Sequence, residues 1–355
     1  MEVLPLEKPL LELSNRIAEL RVCARQSSVM EGRKNSTELS EEIKVLEDKF
    51  ETLAQQIFSE LTPYEVTQLS RHPHRPYTLD IIAELCEDFI ELQGDRNFMN
   101  DPSIVGGIGV FRGQRAVLLG HQKGRGTKEN VFRNFGMPRP EGYRKALRLM
   151  SLAERFKIPI ITFIDTPGAY PGIDAEERGQ SEAIAKNIMV MFKIGVPIVS
   201  VVVGEGGSGG ALAIGVGNRL LMMQYSTYSV ISPEGCASIL WKDGSQAFRA
   251  AAALGVTAQN ALHLGVADEI IPEPLGGAHW KPKIAIQAMG DCIEKHLKEL
   301  MPLNAQQLKD QRVKKYNAMG KVTKKEAISP FRSAALPFPG WDTPWEDIEP
   351  NPAQI

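Results

Sequence analysis

Hydrophobic side chains near the start of the chain recur at alternating steps of four and three: Leu6, Leu10, Leu13, Ile17, Leu20 and Ala24, then Leu39, Ile43, Leu46, Phe50, Leu53 and Ile57. An average step of about 3.5 residues keeps them on one stripe of a helix, so the pattern predicts two helices with coiled-coil-type seams. The stretch from Ser27 to Thr37 is mostly polar and contains Gly32, which suits a turn. Ser36 or Thr37 is placed to cap the second helix, with Glu38 in its first turn. Residues 1–70 therefore read as an antiparallel helical hairpin, an arm for packing or dimerisation.

Two prolines hold Arg71-His-Pro-His-Arg-Pro-Tyr77 extended, and Thr78 is expected to cap a helix running to about Leu92. From Ile104 to about Ile271 short β-branched runs (104–110, 116–120, 158–164, 196–203, 219–223, 228–231) alternate with helical stretches at 141–157, 176–193 and 208–217. Such alternation predicts an α/β architecture whose parallel strands are buried by helices. The stretch 208–217 is nearly all small or apolar, so that helix is expected to be buried on every side. Further helix is predicted over 283–319, with breaks. Residues 71–320 are thus expected to form the main domain, and 321–355 a disordered tail; 328–355 hold six prolines and two tryptophans without periodicity.

Composition narrows the class without choosing a function. Of 355 residues 43% are hydrophobic, and the net charge of −2 advertises neither nucleic acid nor an anionic membrane as partner. Cys23, Cys86, Cys236 and Cys292 include no CxxC pair, which fits a reducing compartment and neither a disulfide framework nor a zinc ribbon. The first residues carry no basic and apolar leader pattern, and the longest apolar runs are far short of a membrane span, so a cytoplasmic protein is expected. His72 and His74 stand without a Cys or carboxylate cluster beside them in sequence, and no metal site is predicted.

Two strand-to-loop junctions carry the candidate chemistry: Ile161-Thr-Phe-Ile-Asp-Thr-Pro-Gly-Ala-Tyr-Pro-Gly172 and Val201-Val-Val-Gly-Glu-Gly-Gly-Ser-Gly-Gly210. Glycine lets a ligand approach backbone N–H groups closely, and amides so presented suit anionic oxygen. Gly204-x-Gly206-x-x-Gly209 matches a dinucleotide fingerprint, but no carboxylate follows about twenty residues on to hold a ribose. Asp165-Thr-Pro-Gly168 matches a GTPase switch, but the chain has no GxxxxGK[ST] loop. An oxyanion hole for acyl or carboxyl transfer and tight helix-on-strand packing both remain open. Ser208 lacks a flanking triad, and Cys236 opens an apolar helix where packing is the simpler role. Between 121 and 148, eight cations, among them Lys123, Arg125 and Arg133, face only Glu129 and Glu141. Such a cluster beside glycines suits phosphate groups, including those of CoA, with a solvated helix face or an acidic partner surface as the alternatives.

Several long segments together resemble the alpha subunits of bacterial multisubunit acetyl-CoA carboxylase carboxyltransferases: Arg71-His-Pro-His-Arg-Pro-Tyr-Thr-Leu-Asp80, Gly120-His-Gln-Lys-Gly-Arg125, Arg133-Asn-Phe-Gly-Met-Pro138, Phe163-Ile-Asp-Thr-Pro-Gly-Ala-Tyr-Pro-Gly172, Gly204-Glu-Gly-Gly-Ser-Gly-Gly210, Ser232-Pro-Glu-Gly-Cys-Ala-Ser-Ile-Leu-Trp241 and Pro272-Glu-Pro-Leu-Gly-Gly-Ala-His279. The resemblance is dense over about 70–280 and is one of pattern alone in the flanking helices. It implies a crotonase-like fold of ββα turns in a right-handed superhelix. It implies transfer of a carboxyl group from carboxybiotin, borne on a biotin carboxyl carrier protein, to acetyl-CoA, giving malonyl-CoA for fatty acid synthesis. It implies as partners an ATP-dependent biotin carboxylase that loads the carrier and a zinc-ribbon-bearing beta subunit that supplies most of the CoA site, in a heterotetramer of two alpha and two beta chains.

Carried over by residue, the resemblance makes the backbone N–H groups of Gly206, Gly207, Gly168 and Ala169 the candidates for holding the ureido oxygen of biotin. Gly204, Gly209 and Tyr170 fall on the biotin side, and Lys123, Arg125 and Arg133 are candidates for CoA phosphate. In this scheme the biotin nitrogen, once freed, takes the acetyl proton, which accounts for the lack of a declared side-chain base. Two other readings stay open. A self-sufficient crotonase-type hydratase or hydrolase needs a carboxylate acid–base pair, for which Glu205 and Asp165 are the candidates. A nucleic-acid binder needs interleaved aromatics in the basic stretch, which has only Phe132, Phe135 and Tyr143.

Overall fold

The computed structural model describes residues 4–30 and 34–320, and the side chains of all of these except 25–30 and 34–38. Gly32 and the segment 321–355 lie outside the described residues. The arm is formed by α1 (Lys8–Met30) and α2 (Lys34–Ser59), which pack on each other. Because α2 begins at Lys34, Ser36 and Thr37 fall inside its first turn and are not its cap. Leu10, Ala54 and Phe58 are buried against Val66, Leu69 and Tyr225, so the base of the arm shares a small core with the rest of the chain. A short helix that sequence reading passed over, α3 (Pro63–Ser70), follows with a capping box: Glu65 N–H donates to Thr62 Oγ1, and Thr62 N–H donates back to Glu65 Oε2.

A buried carboxylate fixes the arm. Glu7 accepts from Trp280 Nε1 at 3.0 Å and Leu4 N at 3.1 Å, and it meets His279 Nε2 at 2.5 Å, with the His72 ring stacked on His279 at 4.0 Å between centroids. Glu7, His72 and His279 bring ligand-capable atoms within 4.8 Å of one another. The carboxylate already meets the Leu4 N–H, the Trp280 indole and the His279 ring, and we read the cluster as a latch. Burial alone would raise the Glu7 pKa, but the His279 and Trp280 hydrogen bonds outweigh it and hold the group down at about 2. A carboxylate depressed in the folded state stabilises above its ordinary pKa of 4.5 and loses that contribution as pH falls towards about 2. Glu7→Ala strands two buried donors and is expected to cost about 2–4 kcal/mol of arm docking at neutral pH. Hydrogen exchange of α1 amides checks this, and the difference from wild type should shrink as the solution is acidified.

The helix starting at Thr78 ends earlier than predicted. After α4 (Thr78–Leu85) the chain becomes β1 (Cys86–Glu91), whose mixed exposed pattern hid it, and which pairs antiparallel with β2 (Ile104–Phe111). Tyr77, not Thr78, occupies the cap, its N–H donating to Asp80; Thr78 Oγ1 donates instead to His121 O at 2.5 Å. β2 turns directly into β3 (Gln114–His121) as an antiparallel hairpin, so the run at 104–110 is not one of the parallel strands, whereas β3 is. The runs at 116–120, 158–164, 196–203 and 219–223 do form parallel strands: β3, β4 (Ile160–Thr166), β5 (Ile198–Gly207) and β6 (Arg219–Met223) run side by side, β8 (Glu269–Ile271), which sequence reading passed over, adds beyond β6, and β7 (Thr227–Ser229) continues beside the end of β5.

Helices cover both faces. α5 (Thr127–Phe132) and α6 (Pro140–Phe156) join β3 to β4, and α7 (Ile173–Glu177) and α8 (Gln180–Lys193) join β4 to β5. The helix expected over 176–193 is broken at Gly179, which has φ +82°. α9 (Ser208–Leu212) is only five residues long and Leu212 is 41% exposed, which corrects the expectation of a ten-residue helix buried all round. Beyond β7 lie α10 (Pro233–Trp241), α11 (Ala247–Leu254) and α12 (Ala258–His263), and beyond β8 α13 (Pro282–Leu300) and α14 (Ala305–Asn317). Alternate strand residues go to opposite cores: Ile161, Phe163, Val199 and Val201 pack with α4 and α13, whereas Ile160, Ile164, Ile198 and Val202 pack with α6 and α8.

Candidate active site

Parallel pairing of β4 with β5 brings the two glycine-rich junctions together. Ile164 lies in register with Val202, and after an irregularity Thr166 lies opposite Gly206. A cleft at the sheet's C-terminal edge is lined by Pro167 from the first junction and Glu205, Gly206 and Gly207 from the second, with Arg71, Thr67, Ser229 and Ser232 around them. This is where ligands bind in open parallel sheets.

The approach is as tight as backbone allows. A Cβ on Gly207 would lie 2.1 Å from Pro167 O and 2.9 Å from Gly168 N. Gly168 has φ +150°, a conformation that only glycine adopts without strain. Its N–H is held by Thr166 Oγ1 at 3.1 Å, and Thr166 Oγ1 donates to Gly168 O at 2.8 Å. The half-buried Ala169 N–H makes no hydrogen bond among the described residues. Gly206 and Gly207 belong to the end of β5, in register with Tyr228 and Ser229 of β7. Gly204 faces Asp165 and Ser70 O, away from the cleft, and Gly209 sits in α9 against Ile184. Tyr170 closes the first loop: its N–H donates to Pro138 O, and Arg139 stacks on its ring at 4.1 Å.

Beneath the cleft lies a buried charge network. Lys123 Nζ is 2.8 Å from Asp165 Oδ1 and 2.9 Å from Glu205 Oε1. Arg71 Nε donates to Glu205 Oε2 at 2.8 Å and its Nη1 to Glu234 Oε1 at 2.9 Å. Burial opposes the charge on Glu205, yet Lys123 and Arg71 hold its pKa below the ordinary carboxylate range. For Asp165 burial prevails and its pKa is raised, Lys123 offsetting only part. Burial and the Lys123 charge push His121 down to about 3, so it stays neutral at physiological pH.

The basic stretch turns inward. Besides Lys123, Arg125 pairs with Asp80, Arg133 Nη1 donates to Pro102 O, Arg144 pairs with Asp95 and Glu141, and Lys145 Nζ donates to Asn100 Oδ1 and Asp101 O. Fixed local partners, not a solvated cationic face, account for most of this charge. Sequence reading missed Arg71 and Glu234 as neighbours of the site; they stand 134 and 29 positions from Glu205, and no local spacing connects them. Ser208 has φ +51° at the strand-to-helix turn, but its hydroxyl is bonded to no histidine or carboxylate among the described residues, so nothing activates it. Cys236 is buried with Ala237 and Ala250, the packing role expected.

Comparison with known proteins agrees with this geometry. The family model "Acetyl co-enzyme A carboxylase carboxyltransferase-like" matches residues 3–320. The acetyl-coenzyme A carboxylase carboxyl transferase subunit alpha of Bordetella avium is 53% identical over 318 residues, 90% of this chain and 97% of its own. The Prochlorococcus marinus protein of the same name is 52% identical over 316 residues, 89% of this chain and 94% of its own. In fold, the chain is similar to a Pseudomonas malonate decarboxylase hetero-tetramer solved with coenzyme A, at a TM-score of 0.50, with 18% identity over 60% of this chain and 85% of that one. The α/β fold is crotonase-like. With the match spanning nearly all described residues, the chain belongs to the acetyl co-enzyme A carboxylase carboxyltransferase-like family.

Proposed function

We propose that this chain is the biotin-facing alpha subunit of an acetyl-CoA carboxylase carboxyltransferase, active with a separate beta subunit. The observation that carries this reading is the backbone-to-backbone meeting of two glycine-rich junctions at the cleft, Pro167 against Gly207, with the unengaged Ala169 amide two residues on beside Gly210 and no activated side-chain base among the described residues that line the cleft. Carboxybiotin, delivered by a carrier protein, supplies the carboxyl group and a nitrogen base in one group. The chain's part is to fix backbone donors where negative charge develops on the ureido oxygen, each such donor being worth about 10²–10³ in rate. Ala169, with Gly206 and Gly207, fits that need by position, and Gly168 serves through the turn it makes, since its own N–H is occupied. Glu205 and Asp165 are both committed to Lys123, which disfavours a hydratase that needs one of them free to carry a substrate proton.

We place the CoA site and the zinc ribbon on the beta partner and the assembly in the cytoplasm; no helix among the described residues is long and apolar enough to cross a membrane. The test is reconstitution. The purified chain alone should not carboxylate acetyl-CoA, and addition of its beta partner with carboxylated carrier should yield malonyl-CoA. Full activity of the chain alone, or hydration of an unsaturated acyl-CoA, would replace this reading with that of a self-sufficient enzyme.

A further inference from the structure

Three neighbouring strands each deliver one ionisable residue to the same buried point. Lys123 comes just past β3, Asp165 lies near the end of β4, and Glu205 lies near the end of β5. The ammonium bridges the two carboxylates, and Asp165 Oδ1 also accepts the Glu205 N–H at 3.1 Å. The stem of Lys123 passes under Gly136, where a Cβ would lie 2.7 Å from Lys123 Cγ. Its backbone is steadied through Gln122, whose N–H donates to Ser103 O and whose Oε1 accepts from Leu79 N. Glu205 immediately precedes Gly206, and Asp165 stands three positions before Gly168.

We infer that Lys123 is a positioning residue that sets the spacing between the two donor loops, and not a contact for substrate phosphate. The inference rests on the carboxyltransferase reading given above. The argument is geometric. Past the last ladder pair of β4 and β5, Thr166 with Gly206, the two loops meet through backbone at the Gly207–Pro167 contact, where proline has no N–H to donate. Directly beneath it, one cation satisfies a carboxylate from each strand. Removing it takes away the group that ties the two strand ends together, a loss that neutralising the two carboxylates does not repair. A displacement of about 1 Å at reacting groups can cost about 10²-fold in rate.

The experiment uses the chain assembled with its beta partner and reads malonyl-CoA-driven carboxylation of free biotin, which yields acetyl-CoA and carboxybiotin. Lys123→Met is expected to lower kcat about 10²-fold while the KM for malonyl-CoA stays within about threefold. Lys123→Arg, which keeps the charge, should recover at least about tenfold of that loss. Arg312→Met removes a more deeply buried cation, bonded to Val196 O and Asn218 at the opposite end of β5, and should lower thermal stability without lowering kcat. Because unpaired buried carboxylates can prevent folding, Lys123→Met is also made together with Asp165→Asn and Glu205→Gln. That triple variant should fold and assemble yet keep the low kcat. A folded, assembled triple variant with kcat within a few-fold of wild type would overturn the positioning role. Wild-type enzyme that transfers no carboxyl group would instead sink the underlying reading.

Discussion

Gly207→Ala is expected to cost at least about 10²-fold in kcat for carboxyl transfer, as much as Gly207→Pro. Sequence alone predicts a milder alanine variant, because alanine keeps the N–H that proline removes. The structure reverses this. An added Cβ would meet Pro167 O at 2.1 Å and Pro167 C at 2.3 Å, both backbone atoms of the opposite loop. They cannot rotate away as a side chain could, so the methyl group must separate the two junctions or tilt the end of β5. Either movement takes the donors of the two loops out of register, and the amide is lost functionally though it is chemically intact. The measurement is steady-state carboxyl transfer by assembled enzyme whose melting temperature and partner affinity match wild type. An alanine variant within a few-fold of wild type would show that Gly207 is not part of the donor geometry.

The second large effect concerns stability. Arg75→Met is expected to destabilise the chain by about 3–5 kcal/mol, a sizeable share of a typical domain's total. Arg75 and Glu273 are almost wholly buried and bond through two atoms each, at 2.7 and 2.8 Å, while Arg75 Nη2 also donates to Val203 O. Truncating the arginine leaves a buried carboxylate without its counter-charge. Adding Glu273→Met should restore only part of the loss, because Glu273 also accepts from Tyr225 N and Ala278 N. Denaturant unfolding of the single and double variants beside wild type checks the ordering. A single variant as stable as wild type would mean that water or local rearrangement compensates the charge.

The parallel strands and the two glycine junctions were legible because their signal is local. Runs such as 158–164 and 196–203 are apolar on both faces, as a doubly covered sheet requires, and each leads within a few residues into a glycine-bearing turn. β1 was not legible: Cys86-Glu-Asp-Phe-Ile-Glu91 lies at the sheet margin, and its polar side chains face solvent. The short α9 was misjudged because small residues read as buried helix although the chain turns out of it after Leu212. Lys123 shows the limit most plainly. A lysine in a basic stretch reads the same whether it meets a phosphate or carboxylates 42 and 82 positions away. Only the strand order brings those partners to it. The Glu7 latch is hidden for the same reason, its histidine lying 272 positions along the chain.

The two margins of the sheet bear on how the chain behaves in a crowded solution. One margin is β1, six residues interrupted by an irregularity at Asp88, which has φ +51°, and it carries Glu87, Asp88 and Glu91. The other is β8, three residues long, with Glu269 engaged by Lys295 and His296. An open margin with unpaired amides invites another strand to add, which is the route to fibrous aggregates. Here brevity guards one side and charge with a kink guards the other, so neither margin offers a flat template for strand addition.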